Sequence, residues 1–339
     1  MDDRRNPLLG SLVVVTAASF FGMLGVLSRT VYELGLTPLA FVTWRAGIGA
    51  LVIGVAVVVA VSRGGRLVGW RSLDGRGRVS LGVASVAGAT LNMAMFLAFA
   101  RLPVAIVLLC FYLYPAIVTG VSAFLGWEPM DRPRAVALVV ALAGMVAVVI
   151  GGPMAAGTDG IDALGVGLAL SAAGSQAIFV LVSRHGYRSV PTDQAMGVIL
   201  GVSALIAAVL VMLGGGVGEL TLPIGRPDLF GLLLFGGIFG AAVPSFLFLA
   251  GIRWVGPVRA GILMLIEPLV GVALAAILLH EAVCPVQALG GLAILSAAML
   301  IQRARPAEPA LQPAAEPEPG LEPEPMLMPA AEAEIGASS

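Results

Sequence analysis

The chain has 339 residues, of which 59% are hydrophobic and 12% charged, with a mean hydropathy of +1.01 and a formal net charge of −1. Soluble domains carry roughly 25% charged residues, and a water-soluble protein of this length could not bury so much apolar surface. The composition therefore excludes a soluble globular protein and predicts a chain that crosses a membrane many times.

Ten apolar runs are long enough to span a bilayer as helices, because roughly 20 residues cross the hydrocarbon core. They cover residues 10–28, 37–61, 80–100, 104–126, 135–152, 163–183, 194–214, 229–250, 257–280 and 286–303. The first run follows two arginines, as a signal peptide would, but its length and the nine similar runs behind it favour a retained span. The predicted fold class is an all-α polytopic membrane protein with ten transmembrane helices.

Arginine placement predicts the orientation, because cytoplasmic loops of membrane proteins are enriched in basic residues. With residues 1–9 as a cytoplasmic N-terminus, fifteen of the nineteen arginines fall in cytoplasmic segments. Only Arg29, Arg101 and Arg226 fall outside. The even number of spans places both termini in the cytoplasm, and the predicted location is the cytoplasmic membrane.

The C-terminal segment, residues 304–339, has a different composition from the rest of the chain. It is rich in Pro, Glu and Ala and has no basic residue after Arg305. Such a segment cannot bury enough apolar surface to offset the entropy of ordering. We expect a disordered cytoplasmic tail, for which a partner-binding role stays open.

Several chemical motifs are missing from the sequence. No lysine occurs, which excludes a P-loop lysine and a Schiff-base lysine. We find no HExxH, no GxSxG and no Cys/His cluster, and the two cysteines, Cys110 and Cys284, are isolated. We therefore expect no enzyme, no cofactor, no metal and no nucleic-acid partner.

The two halves of the chain resemble each other. At offsets of 152 to 155 residues, small, basic and proline positions recur in the same order; the matches are Ala17 with Ala172, Ala18 with Ala173, Arg101 with Arg253, and Pro115 with Pro268. Each half holds five spans, so the second enters the membrane from the opposite side. We predict two inverted repeats, 10–152 and 163–303, joined by an external linker at 153–162. Inverted repeats are common in secondary transporters, with the substrate site near the midplane.

Three stretches carry a family resemblance. They are WRAG in the second span, YLYPAIVTGVSAFLGWEP in the fourth, and IEPLVGVALAAILLHE in the ninth. Together with the repeat they make residues 8–303 resemble the EamA-type family of the drug/metabolite transporter superfamily. The resemblance implies ten helices, cytoplasmic termini, and export or exchange of small metabolites along a path lined by the third, fourth, eighth and ninth helices. It does not name a substrate.

Glu267 is an acidic residue inside an otherwise apolar span, and crossing the membrane does not require it. It lies in the ninth span about ten residues, or roughly 15 Å, from Pro257, which places it near the middle of a core about 30 Å thick. An unpaired charge there costs roughly 2.5–3.5 kcal/mol. Pro268 follows and removes one helical hydrogen bond. We expect Glu267 to face a cavity and to bind a proton or a cationic group.

Arg45, in the second span, is the other charge that we place inside the membrane. Two buried charges of opposite sign suggest an ion pair with Glu267 or a shared aqueous site. The alternatives are a static bridge between two helices and an Arg45 side chain that reaches outward to water. In a transporter, Arg45 either attracts a carboxylate or neutralises Glu267 when the substrate is absent.

Other polar, aromatic and helix-breaking residues inside spans are weaker candidates for the same pathway. They are Asn92, Tyr112, Tyr114, Ser245, Gln176 and Trp44, with Pro115, Pro244 and Pro268 as helix-breaking positions. Tyr114 is the repeat equivalent of Glu267, and Pro244 that of Asn92. Ordinary packing is the competing interpretation of each aromatic residue, and an interhelical hydrogen bond that of Asn92 and Gln176.

The predicted function is that of a secondary active transporter that exports or exchanges a small metabolite, such as an amino acid, by alternating access. The expected partners are that substrate and membrane lipids, with protons as a candidate coupling ion; the oligomeric state is open. The alternatives are a scaffold that acts through its acidic tail, a passive channel, and a membrane-embedded enzyme acting on lipid.

Overall fold

The computed structural model describes residues 7–102, 104–127, 130–150, 162–278 and 283–303. The predicted tail, residues 1–6 of the predicted N-terminus and all but the last residue of the predicted linker lie outside these ranges.

Ten helical segments, α1 to α10, follow one another along the chain. They are α1 (Pro7–Gly22 and Leu24–Glu33), α2 (Pro38–Ser62), α3 (Gly75–Phe99), α4 (Val104–Phe111 and Tyr114–Phe124), α5 (Arg132–Ile150), α6 (Ala163–His185), α7 (Thr192–Leu213), α8 (Pro227–Gly237, Ile238–Ala242 and Val243–Val255), α9 (Pro257–Met264 and Ile266–Leu278) and α10 (Pro285–Arg303). A short helix, Val217–Thr221, and two 3₁₀ turns, Trp70–Ser72 and Leu222–Gly225, lie between them.

Length and composition allow these helices to cross a membrane. Within the described residues, nine are long and apolar enough, and Pro285–Ile301 in α10 is a shorter apolar helix that completes the set. The predicted all-α polytopic fold is confirmed. Helix boundaries differ at capped ends: α3 begins five residues before the predicted span, because the Asp74 carboxylate accepts a hydrogen bond of 3.0 Å from the backbone N–H of Gly77.

Two of the helix breaks are related by the repeat. α4 is interrupted at residues 112–113, and α9 is interrupted at Leu265, the repeat equivalent of Tyr112. Pro115 and Pro268 stand just after these breaks, where a proline cannot donate a helical hydrogen bond. Two further irregularities have no such partner: α1 breaks at Met23, and Ile238–Ala242 in α8 is a π-helical turn.

The helices pack in pairs that cross between the two halves. The most extensive contacts join α5 with α10, α2 with α7, α3 with α6, and α1 with α8. A two-fold relation between the halves generates this pattern, since α1 and α8 exchange with α6 and α3. At the α5–α10 crossing the backbones meet at Gly144 and Gly290, where a Cβ atom on Gly144 would lie 2.7 Å from the Gly290 carbonyl oxygen.

Loop contacts show which helix ends share a face of the molecule. Arg101 after α3 pairs with Asp162 before α6 at 2.9 Å, and Arg184 at the end of α6 donates to the Ile252 carbonyl near the end of α8 at 3.2 Å. We call the face where α1 begins the N-terminal face and the opposite one the distal face. Arg101 and Asp162 lie on the distal face; Arg184 lies on the N-terminal face.

Candidate functional site

A cavity of about 560 Å³ lies between the two halves of the chain. Its lining reaches exposed Arg29 and half-buried Phe99 at the distal ends of α1 and α3. Toward the N-terminal face the lining stops at Met196, Phe179 and Phe248, each a helical turn or more inside its helix. The cavity therefore approaches the distal face and ends before the N-terminal face.

Glu267 lines this cavity and is only partly buried, although it lies deep within α9. α9 is interrupted at Leu265 and its second part begins at Ile266, so Glu267 lies in the first turn after the break. Pro268, which follows it, also lines the cavity. Its neighbour is Tyr112, whose hydroxyl is close to the carboxyl group but not in hydrogen-bond geometry with it. Glu267 therefore lines the cavity from the middle of α9.

Three buried polar atoms around Glu267 make no hydrogen bond of ordinary geometry among the described residues. The hydroxyls of Tyr112 and Tyr114 and the Oε1 atom of Gln176 have no partner, although all three residues line the cavity. Tyr112 and Tyr114 are fully buried and Gln176 is 5% exposed. Leaving a buried polar group unsatisfied costs about 1–3 kcal/mol. The acid end of the cavity therefore offers hydrogen-bonding groups that a polar ligand or water would satisfy.

Arg45 occupies a separate part of the same cavity. Its guanidinium donates through Nη1 to the carbonyl of Gly240 at 2.6 Å and through Nη2 to Oδ1 of Asn92, and it stacks over the Phe96 ring at 5.2 Å. Its Nε atom has no partner, and the residue is 3% exposed. Gly240 belongs to the π-helical turn of α8, so this irregular turn supplies the carbonyl that holds Arg45. Neither Arg45 nor Glu267 has an ion pair among the described residues, so they share the cavity without a bridge.

The remaining predicted residues fall inside and outside the cavity. Asn92 and Ser245 line it, and the Nδ2 atom of Asn92 is held by the Gly88 carbonyl at 2.8 Å. Trp44 does not line it, because its Nε1 atom donates to the Leu220 carbonyl at 3.2 Å.

Two of the three helix-breaking prolines also lie off the cavity. Pro115 and Pro244 are not among the lining residues, whereas Pro268 is. Pro115 instead packs against Gly261 of α9, where a Cβ atom on the glycine would lie 3.5 Å from Cβ of Pro115. These two prolines shape helices that line the cavity.

The family model described as "EamA-like transporter family" matches the chain twice, over residues 8–150 and 163–303. The chain belongs to the EamA-like transporter family. Each match covers one five-helix half, so the EamA architecture accounts for the repeat. A solved structure titled "Crystal structure of protein" is similar over 86% of this chain and 96% of its own, with 19% identity and a TM-score of 0.67, which shows a common fold. No curated protein matches the chain.

In this EamA protein two arginines on the N-terminal face bond in opposite directions between the end of α8 and the end of α6 with the loop after it. Arg184 at the end of α6 donates to the carbonyls of Ile252 and Arg253 at the end of α8. Arg253 in turn donates to the Val190 carbonyl at 2.8 Å and lies over the Tyr187 ring at 5.2 Å. Sequence reasoning used these arginines to assign orientation and, for Arg253, to align the repeats. It missed their contacts, since these join segments about 65 residues apart.

Aromatic and sulfur-containing side chains form the wall of the EamA cavity, and sequence reasoning missed them. They include Met95, Phe96, Phe111, Phe179, Phe248 and Met264. In a span of continuous apolar residues, nothing distinguishes a residue that faces a cavity from one that faces lipid. In the part of the chain that the structure describes, no three His, Cys, Asp or Glu residues form a group that could hold a metal ion.

Proposed function

We propose that the protein is a secondary active transporter of the cytoplasmic membrane that exports or exchanges a small metabolite, an amino acid or a related compound, by alternating access. Both termini are cytoplasmic in this proposal, so the distal face is external. The observation that carries it is the cavity between the repeats, which holds Glu267, Arg45 and unpartnered polar groups, approaches one face and ends before the other.

The two charged residues suit a substrate with groups of both signs. Glu267, with Tyr112 and Tyr114 beside it, receives an amine or a proton. Arg45 has two donors already engaged and its Nε atom free, so a carboxylate can approach it without breaking an existing bond. Because neither residue is paired with the other, each charge is available to a ligand that neutralises it on burial. The aromatic wall accommodates an apolar side chain.

Alternating access requires the N-terminal face to open and the distal side to close. Opening breaks the hydrogen bond from Arg184 to the end of α8 and the hydrogen bond from Arg253 to Val190, in the loop between α6 and α7. Closing of the distal side uses the breaks of α1, α4 and α9 as hinges, because the helical hydrogen bonds are already interrupted there. No P-loop motif is present in the sequence, so a gradient or an exchange of substrates supplies the energy.

The test uses Glu267→Gln, which preserves the shape of the side chain and removes its charge. Comparison of metabolites exported by cells with and without the protein identifies the substrate, and counterflow in proteoliposomes then measures it. We expect Glu267→Gln to slow counterflow at least tenfold and to abolish its pH dependence. Wild-type flux with wild-type pH dependence in this variant would refute the proposed role. Glu219→Gln, an acid outside the cavity, is the control.

The alternatives make different predictions in the same system. A scaffold that acts through its tail loses its partner when residues 306–339 are deleted, whereas a transporter retains its flux. A passive channel shows no saturable counterflow. Retained, saturable counterflow by the truncated protein therefore separates the proposed function from both.

A further inference from the structure

The connection between α2 and α3, together with the first turn of α3, carries a concentration of positive charge on the N-terminal face. We call residues 63–78 the basic loop; it contains five arginines, Arg63, Arg66, Arg71, Arg76 and Arg78, and a single acid, Asp74. All five arginines are exposed. Asp74 accepts the hydrogen bond that caps α3, and it forms no ion pair with these arginines in the described structure.

The basic loop is held in a defined shape by α7 of the other repeat. The side-chain amide of Gln194 accepts from the backbone N–H of Val68 at 2.9 Å and donates to the Arg66 carbonyl at 2.8 Å. At the other end, Arg78 donates through Nε to the Leu73 carbonyl at 2.9 Å, and Leu73 is 5% exposed. Hydrogen bonds at both ends therefore present the arginines on an anchored surface.

Two large apolar side chains project from the same loop among the arginines. Leu67 is 67% exposed and Trp70 is 55% exposed. Tryptophan is enriched where a membrane meets water, because its ring is apolar and its N–H group is polar. The loop joins the ends of two membrane helices, so these side chains lie at the level of the lipid headgroups.

We propose that the basic loop binds the phosphate groups of anionic phospholipids in the leaflet at the N-terminal face. Arginine suits this ligand because its planar guanidinium binds phosphate oxygens in pairs. Arg63, Arg66 and Arg71 have no acidic partner among the described residues and remain available. The exposed Leu67 and Trp70 favour a lipid over free phosphate, because only a lipid offers apolar contact beside the phosphate.

Binding at the basic loop also couples lipid to the packing of the two repeats. Because Gln194 belongs to the second repeat and the loop to the first, a lipid that stabilises the loop stabilises their contact at α2 and α7. Each basic residue near an anionic membrane surface strengthens the attraction about fivefold. A ligand that binds only the folded protein raises its melting temperature.

Native mass spectrometry of the full-length protein in detergent tests the site, with phosphatidylglycerol and phosphatidylcholine as probes and inorganic phosphate as competitor. We expect phosphatidylglycerol to be retained and to raise the melting temperature, and phosphatidylcholine to be retained weakly. The triple variant R63Q/R66Q/R71Q should weaken phosphatidylglycerol retention at least about tenfold. Arg226→Gln, a single exposed arginine on the distal face, should not weaken it.

A second variant tests the anchoring without altering charge. Gln194→Ala releases the loop and leaves all five arginines, and it should lower phosphatidylglycerol retention severalfold. Equal retention of phosphatidylglycerol by the wild type and the triple variant, equal retention of both lipids, or displacement of the lipid by millimolar inorganic phosphate would each overturn the proposal. None of these measurements depends on the transported substrate.

Discussion

The backbone carbonyl of Glu267 in α9 lies directly against Gly22 in α1. A Cβ atom on Gly22 would lie 2.8 Å from that carbonyl oxygen and 3.2 Å from the backbone nitrogen of Gly271. The contact occurs where α1 breaks and where the cavity begins, since Gly22, Glu267 and Gly271 all line it. The backbone that carries the acid is therefore positioned by a glycine in the first helix.

Gly22→Ala should shift this junction and lower both stability and counterflow. The added methyl group meets backbone atoms, which cannot rotate away, and overpacking of this kind costs about 1–3 kcal/mol. The melting temperature of the purified protein measures the effect. Gly25→Ala is the matched control, because a Cβ atom there has nothing within 4 Å. Equal melting temperatures for the two variants would contradict the packing described.

Two tyrosines allow a comparison of an unpaired hydroxyl with a paired one. The Tyr114 hydroxyl has no partner, whereas the Tyr187 hydroxyl lies 2.6 Å from Oγ of Ser183. Tyr114→Phe should leave the melting temperature unchanged or raise it and should slow counterflow. Tyr187→Phe should cost about 1 kcal/mol of stability, because it breaks a formed hydrogen bond. The Tyr114 hydroxyl has no role in transport if its loss leaves counterflow at the wild-type rate.

The sequence was sufficient for the features that depend on composition and order along the chain. Apolar runs predict the spans, and an acid beside a proline in such a run marks Glu267. Trp44 shows where this reasoning fails: it adjoins Arg45 in sequence, but neighbouring residues point about 100° apart on a helix. Its indole therefore bonds to Leu220 outside the cavity.

The features that the sequence did not predict depend on contacts between distant segments. In the sequence, the π-helical turn in α8 appears only as a glycine-rich stretch. Its role becomes visible in the structure, where the Gly240 carbonyl accepts a hydrogen bond from Arg45 of α2. The pairing of Arg184 with the end of α8 depends in the same way on helices brought together by the fold.

Arg45→Lys should destabilise the protein and slow counterflow although it conserves the charge. An ammonium group is compact and cannot reproduce the guanidinium fork that reaches Gly240 and Asn92 together. We expect a lower melting temperature for Arg45→Lys and a smaller decrease for Asn92→Ala. Because both changes remove the same hydrogen bond, the double variant should lose less than the sum of the two. Additive losses would show that the two side chains act independently.

The ion pair at the distal face predicts a small, salt-sensitive pH effect. The Arg101 guanidinium, with the Leu164 N–H, holds the pKa of Asp162 below its ordinary value. A lowered native pKa stabilises the fold above the ordinary pKa of about 3.9, and the contribution is lost as the pH falls through the native value. The melting temperature of Asp162→Asn should therefore fall slightly below wild type at pH 6, and the difference should shrink as the pH falls below about 3.9. High salt should remove the difference at pH 6.

Arg253→Gln should weaken the closure of the N-terminal face and change access to the cavity. The variant removes hydrogen bonds to Val190 and Thr192 and the contact over the Tyr187 ring. A cysteine at Ser245, which lines the cavity, reports access through labelling by a membrane-impermeant thiol reagent after Cys110 and Cys284 are replaced by Ala.

In the protein whose single cysteine is at position 245 and which keeps Arg253, the reagent should label this cysteine from the distal side and only slowly from the N-terminal side. Arg253→Gln should increase labelling from the N-terminal side severalfold, because the open form is then favoured. Arg226→Gln, which breaks a pair with Asp228 on the distal face, serves as the control for loss of an exposed arginine. Unchanged labelling from the N-terminal side would show that Arg253 does not keep that face closed.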